Sequence, residues 1–222
     1  MKKLALIALV MVLVSVVAMA DSIKPFFVSV TPDGPGMYKW TYEVSLTKDD
    51  ILNTTNPGGD QLQYFTIYDF SGYIAGSATF TPVAGAGATS ASDWSFSSAG
   101  TGLTTDGDFG AASNLIPGTP DNAAIPNLSW SYIGAGVSGN GCTTNCDFAG
   151  NKILGLFSAD SVYNGAALGN YTGATFEFNG STYAFADNTG GVLVPLPEPT
   201  SIFLFGTGLA GLAGTLRKRI AK

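Results

Sequence analysis

Few side chains in this sequence can do chemistry, and their spacing narrows what they could do. No histidine occurs in the 222 residues, which removes Ser-His-Asp and Cys-His nucleophile systems and histidine-based metal sites. Away from the C-terminus the glutamates are Glu43 and Glu177, among thirteen aspartates. Two carboxylates would suffice for a glycosidase. Glu43, however, falls on the polar parity of an alternating stretch and Glu177 beside a turn signal, where solvated strand residues are expected. Asp106-Gly107-Asp108 could open a calcium loop, because Ca²⁺ takes clustered carboxylate and carbonyl oxygens. The EF-hand pattern fails after Asp108, and Asp-Gly is ordinary turn chemistry. Asp106 and Asp108 are therefore weak calcium candidates, and the sequence assigns no metal, no cofactor and no catalytic residue. A non-enzyme is expected.

Cys142 and Cys146 are separated by Thr143-Thr144-Asn145. In an oxidising compartment this spacing favours a local disulfide that clamps a loop, worth about 2 kcal/mol by chain entropy. Zinc would need about four ligands, and a redox Cys-x-x-Cys pair has a different spacing. Trp40, Trp94 and Trp130 could form a platform for sugars, but each lies on the apolar parity of an alternating stretch, which directs it to a core.

The elements that must position these groups read as strands. Tyr38, Trp40, Tyr42, Val44 and Leu46 alternate with polar residues at period two, the mark of a strand with one buried face. A loop is expected from Asp49 to Asp60. Gln61–Phe70 is apolar on both faces, as a central strand is, and Gly72–Phe80 is expected to pair with it across a turn at Ser71-Gly72. Further strands are expected around Trp94-Phe96, Leu128–Tyr132 and Ile153–Phe157. Asn179-Gly180 between Thr175–Phe178 and Ser181–Phe185 predicts a hairpin with a type I′ turn. Long loops are expected at 82–92, 98–127 and 134–150. The fold class expected is all-β, an antiparallel β-sandwich with jelly-roll-like or Greek-key connections.

Both chain ends look like processing segments. Lys2-Lys3 precede the apolar stretch Leu4–Val17, and Ala18-Met19-Ala20 before Asp21 is the small-x-small pattern of a signal-peptide cleavage site. At the other end, Pro197-Glu198-Pro199 precede an apolar run, Thr200–Leu216, and the basic residues Arg217, Lys218 and Arg219. As a helix that run is about 25 Å long, near the roughly 30 Å hydrocarbon core, and the basic residues would hold its end in the cytoplasm. Gly206, Ala210 and Gly214 form a small-xxx-small stripe suited to close helix packing. Three segments are expected: a signal-peptide helix at 1–20, a β-sandwich at 21–195, and a sorting segment with one transmembrane helix at 196–222. The central segment holds four lysines against fifteen carboxylates, a net charge of −11 that repels nucleic-acid phosphates and anionic headgroups.

The combination of signal peptide, Pro-Glu-Pro, short glycine-containing span and basic tip resembles the PEP-CTERM family of exported bacterial proteins. Leu196 stands where members often have Val. The resemblance implies cleavage by signal peptidase and processing by an exosortase, an integral-membrane enzyme. It implies a protein exported across the inner membrane, transiently anchored, then at the cell surface or outside it. It also implies an association with exopolysaccharide and biofilm. The central segment is loosely similar to passengers of that tail, at Tyr38–Val44, Phe65–Phe70 and Ile125–Leu128, which carry no assigned activity. Three roles follow as expectations: a non-catalytic structural or adhesive surface component, a carbohydrate-binding module, or, less favoured, an envelope hydrolase.

Overall fold

The computed structural model describes residues 22–53, 63–83, 89–101, 121–140, 142, 146–147, 149–178 and 183–197. The expected signal-peptide and transmembrane helices fall outside them, and no helix among the described residues is long and apolar enough to cross a membrane. Among the described residues, eleven strands make up two antiparallel sheets, and a single 3₁₀ turn, Ala91–Asp93, interrupts them.

The first sheet has four strands in the order β1 (Ile23–Pro32), β2 (Tyr38–Leu46), β9 (Lys152–Ser161), β5 (Thr79–Thr81). β2 follows the period-two pattern: Trp40, Tyr42, Val44 and Leu46 are fully buried. The second sheet is built around β10 (Gly165–Phe178). Along one side β10 pairs over its whole length with β11 (Tyr183–Leu196). It also pairs with β4 (Tyr64–Ile67) and with β3 (Asp50–Leu52). Beyond β4 lie β7 (Asn127–Tyr132) and β6 (Trp94–Ala99), and beyond β3 lies β8 (Val137–Ser138). All four residues of β4 are buried, as apolar side chains on both faces require of a central strand.

The sheets meet in an aromatic layer. Phe157 of the first sheet packs edge-on against Phe65, Trp94 and Trp130 of the second, with ring centroids 4.9, 4.9 and 5.7 Å apart. Three polar atoms on rings carried inward find partners, as burial demands. Trp94 Nε1 donates to Thr89 Oγ1 and Trp40 Nε1 to the Tyr163 carbonyl, both at 2.9 Å. The Tyr42 hydroxyl donates to the Leu193 carbonyl on β11 at 3.0 Å, tying the two sheets together.

Short connections make β1–β2 and β10–β11 neighbours within one sheet, while the chain passes between the sheets from β2 to β3, β4 to β5, β5 to β6, β8 to β9 and β9 to β10. Two expectations need correction. The chain after Ser71 does not return beside β4. Positive φ at Gly72 (68°) and Gly76 (81°) turns it, and β5 joins β9 in the other sheet. Within the expected loop from Asp49, β3 forms and buries Leu52. The β10–β11 hairpin sets Phe178 opposite Tyr183, and the type I′ turn expected at Asn179-Gly180 lies outside the described residues. Glycines fix this register. Tyr171 lies opposite Gly190, where an added Cβ would stand 2.6 Å from its ring, and Val194 fills the space beside Gly169 at 2.7 Å.

Candidate functional site

The first sheet ends in β1 and the long side of the second in β11, and neither pairs with another described strand along its outer side. The start of β1 crosses β10 closely. Ser22 Oγ and Thr175 Oγ1 are 3.4 Å apart, and a Cβ on Gly173 would collide with the Ile23 carbonyl. Beside this crossing lies a cleft of about 570 Å³, within the usual range for small-ligand sites. β1 supplies Lys24, Pro25 and Phe26, and Glu43 comes from β2. Phe26 and Glu43 are cross-strand partners, so they share one face of the sheet. Opposite them, Tyr171 and the backbone of Gly190-Gly191 come from the β10–β11 hairpin. Burial pushes the Tyr171 hydroxyl up, and a hydrogen bond with Asn188 opposes that shift.

The remaining wall is the turn before β9. Cys142 and Cys146 are joined in a disulfide, with Cα atoms 6.0 Å apart, and Cys146 bridges to Lys152 at the start of β9. Between them Asp147 organises the turn. Its Oδ1 accepts from the backbone N–H groups of Ala149 and Asn151 at 2.8 and 2.9 Å, and its Oδ2 from the Asn151 amide at 2.9 Å. Asn151 is thereby held in the cleft wall by an Asx-type turn. The Asn151 amide oxygen and the Glu43 carboxylate accept no hydrogen bond from a described residue, and both side chains are half-buried.

The other residues singled out in the sequence lie elsewhere. Trp40, Trp94 and Trp130 are buried, so they form no sugar platform. Glu43 and Glu177 stand on different sheets, with Glu177 exposed on β10 beside the hairpin connection. Asp106 and Asp108 fall outside the described residues, as do Ala18, Ala20, Asp21, Glu198, Pro199, Arg217, Lys218 and Arg219. No group of three or more metal-ligating side chains occurs among the described residues. A smaller polar knot joins Asp69, Asp121, Asn122 and Asn127. Asn127 Oδ1 accepts from the Asp69 N–H at 2.8 Å, its amide donates to Asp121 at 2.9 Å, and Asp69 accepts from the Asn122 N–H at 2.9 Å. Burial raises the Asp69 carboxyl, the bond from Asn122 opposes this, and the nearby Asp121 charge adds to it. Asp69 holds a left-handed backbone, φ 55°, and the knot secures that turn.

Phe26, Asn151 and Tyr171 were not foreseen as site residues. The stretch from Ile23 to Pro32 carries apolar side chains at Phe26, Phe27 and Val28 in succession, so period two gives no warning that Phe26 faces outward.

At the end of β11, Pro195 is buried and Leu196 pairs with Gly165, and Pro197 follows directly. The PEP-CTERM protein-sorting motif matches residues 195–219. The chain carries a PEP-CTERM sorting tail. Pro197, Glu198 and Pro199 lie inside the matched segment, which overlaps the last two residues of β11, so no spacer separates the fold from the PEP-CTERM tail. The motif implies export, processing by exosortase and sorting toward the cell surface. No curated protein and no solved structure matches the chain.

Proposed function

We propose that this chain is an exported, non-catalytic β-sandwich passenger that serves at the cell surface or in the extracellular matrix as a structural or adhesive component. The observation that carries the reading is the PEP-CTERM motif at residues 195–219, joined without a spacer to the last strand of the body. Support comes also from the absence of histidine from the sequence and from the separation of Glu43 and Glu177 onto different sheets. The single-span anchor, its basic stop at Arg217–Arg219 and the signal-peptidase site at Ala18–Asp21 belong to this proposal, as does a role beside exopolysaccharide in a biofilm. Deleting the gene and shearing the producing cells tests it. The matrix is expected to lose cohesion and to regain it when the full chain is restored; unaltered cohesion despite abundant surface protein would sink the structural role. Carbohydrate binding is the second reading, and the cleft between β1 and β11 favours it over a purely mechanical role.

A further inference from the structure

We propose that the cleft between β1 and β11 binds an uncharged, flat-faced saccharide, a β-linked glucan being the simplest example. This rests on reading the chain as a surface component in contact with polysaccharide, and it names the site of that contact. A pyranose with equatorial hydroxyls presents an apolar C–H face and a rim of hydroxyl donors, and the cleft offers a partner for each. Phe26 is 46 % exposed and stacks on no ring among the described residues, so its face is open to a sugar. Glu43 and Asn151 hold unengaged acceptor oxygens at the rim, half-buried where sugar hydroxyls can donate to them. On the opposite wall, Gly191 presents backbone without a side chain and is exposed, which admits a ring close to the main chain.

Charge narrows the ligand further. The rim carries Glu43 and Asp147 against Lys24, in a central segment of net charge −11. A uronate or sulfated polymer meets repulsion there, and a neutral one does not. The polar wall is also preorganised. The disulfide fixes one end of the turn, and two hydrogen bonds to Asp147 fix Asn151, so little ordering remains to be done on binding.

The test uses the exported protein purified from its producing cells, titrated calorimetrically with cellohexaose and, as the charged counterpart, polygalacturonate. Cellohexaose is expected to bind, and polygalacturonate to bind at least about tenfold more weakly. Phe26→Ala is expected to cost at least about tenfold in cellohexaose affinity, with Phe26→Trp restoring it, and Glu43→Ala to cost several-fold. Matching thermal midpoints for the variants guard against misfolding. Absence of cellohexaose binding, wild-type affinity in Phe26→Ala, or tighter binding of polygalacturonate would each overturn the proposal. Labelling intact cells with a membrane-impermeant amine reagent separates the two readings. A labelled protein that ignores cellohexaose loses the site but keeps the surface role, and a binding protein that escapes the label does the reverse.

Discussion

Between the sheets, Phe157 meets Phe65, Trp94 and Trp130, and its neighbour Phe80 lies 4.9 Å away on β5. At the open edge, Phe26 meets no other ring among the described residues and is almost half exposed. Both regions are aromatic, yet one is closed by edge-to-face contacts and the other is lined with unengaged oxygens. The contrast shows that aromatic content does not locate a binding surface in this protein. What locates it is an aromatic side chain that stacks on no other described ring, beside the unengaged oxygens of Glu43 and Asn151. The three tryptophans, the most conspicuous candidates in the sequence, are spent on cohesion between the layers.

The contrast can be broken first in the core. Phe157→Ala is expected to cost about 3–5 kcal/mol of stability, read from the denaturant midpoint, because it removes the one ring shared by three cross-sheet contacts. Phe26→Ala should cost far less stability, within about 1 kcal/mol, while carrying the loss of sugar affinity. A Phe26 variant that unfolds as readily as the Phe157 variant would erase the distinction between the regions. Next in size is the clamp on the cleft wall. Replacing Cys142 and Cys146 by Ser should lower stability by up to about 2 kcal/mol, and it should weaken cellohexaose binding more than any other property, since the bond orders the wall and lies outside the aromatic layer.

A smaller, pH-dependent effect sharpens the same comparison. Burial pushes the Tyr68 hydroxyl up to about 12, and the nearby Asp121 charge adds to this against the opposing hydrogen bond with Thr172. Tyr132 is likewise pushed up to about 12, by burial first and then by Asp93. An unfolded tyrosine ionises near 10. Below pH 10 the folded and unfolded chains hold the same protons and this stability is intact. Between about pH 10 and 12 the unfolded chain releases them first, so stability falls as pH rises and the contribution is gone by about 12. Alkaline unfolding followed by tyrosinate absorbance should show this slope, and Tyr68→Phe should flatten it. An unchanged slope in that variant would remove Tyr68 from the account.

Much of the layer architecture was legible because it rests on local pattern. The alternation from Tyr38 to Leu46 places Trp40, Tyr42, Val44 and Leu46 inward, and the two-faced apolar run at Tyr64–Ile67 marks a central strand. The strand orders were not legible, since β5 leaves the neighbourhood of β4 through turns at Gly72 and Gly76 whose direction no periodicity encodes. β3 has only three residues and begins at an aspartate, too short for a pattern to emerge. The register of the last hairpin is decided by Tyr171 over Gly190 and Val194 beside Gly169, contacts between strands that a turn-based reading does not reach. The cleft was hidden for a related reason: Phe26, Glu43, Asn151 and Gly191 come from four separate parts of the chain. The sorting tail, by contrast, is linear information, and Pro197, Glu198 and Pro199 are readable without any fold.

The most direct measurement is the intact mass of the protein recovered from the cell surface, for the natural chain and for Glu198→Gln. The account predicts that the natural protein has lost both its first twenty residues and the segment beyond the Pro-Glu-Pro motif, and that the variant keeps its C-terminal segment and stays with the membrane. A C-terminal segment retained in both forms would contradict it.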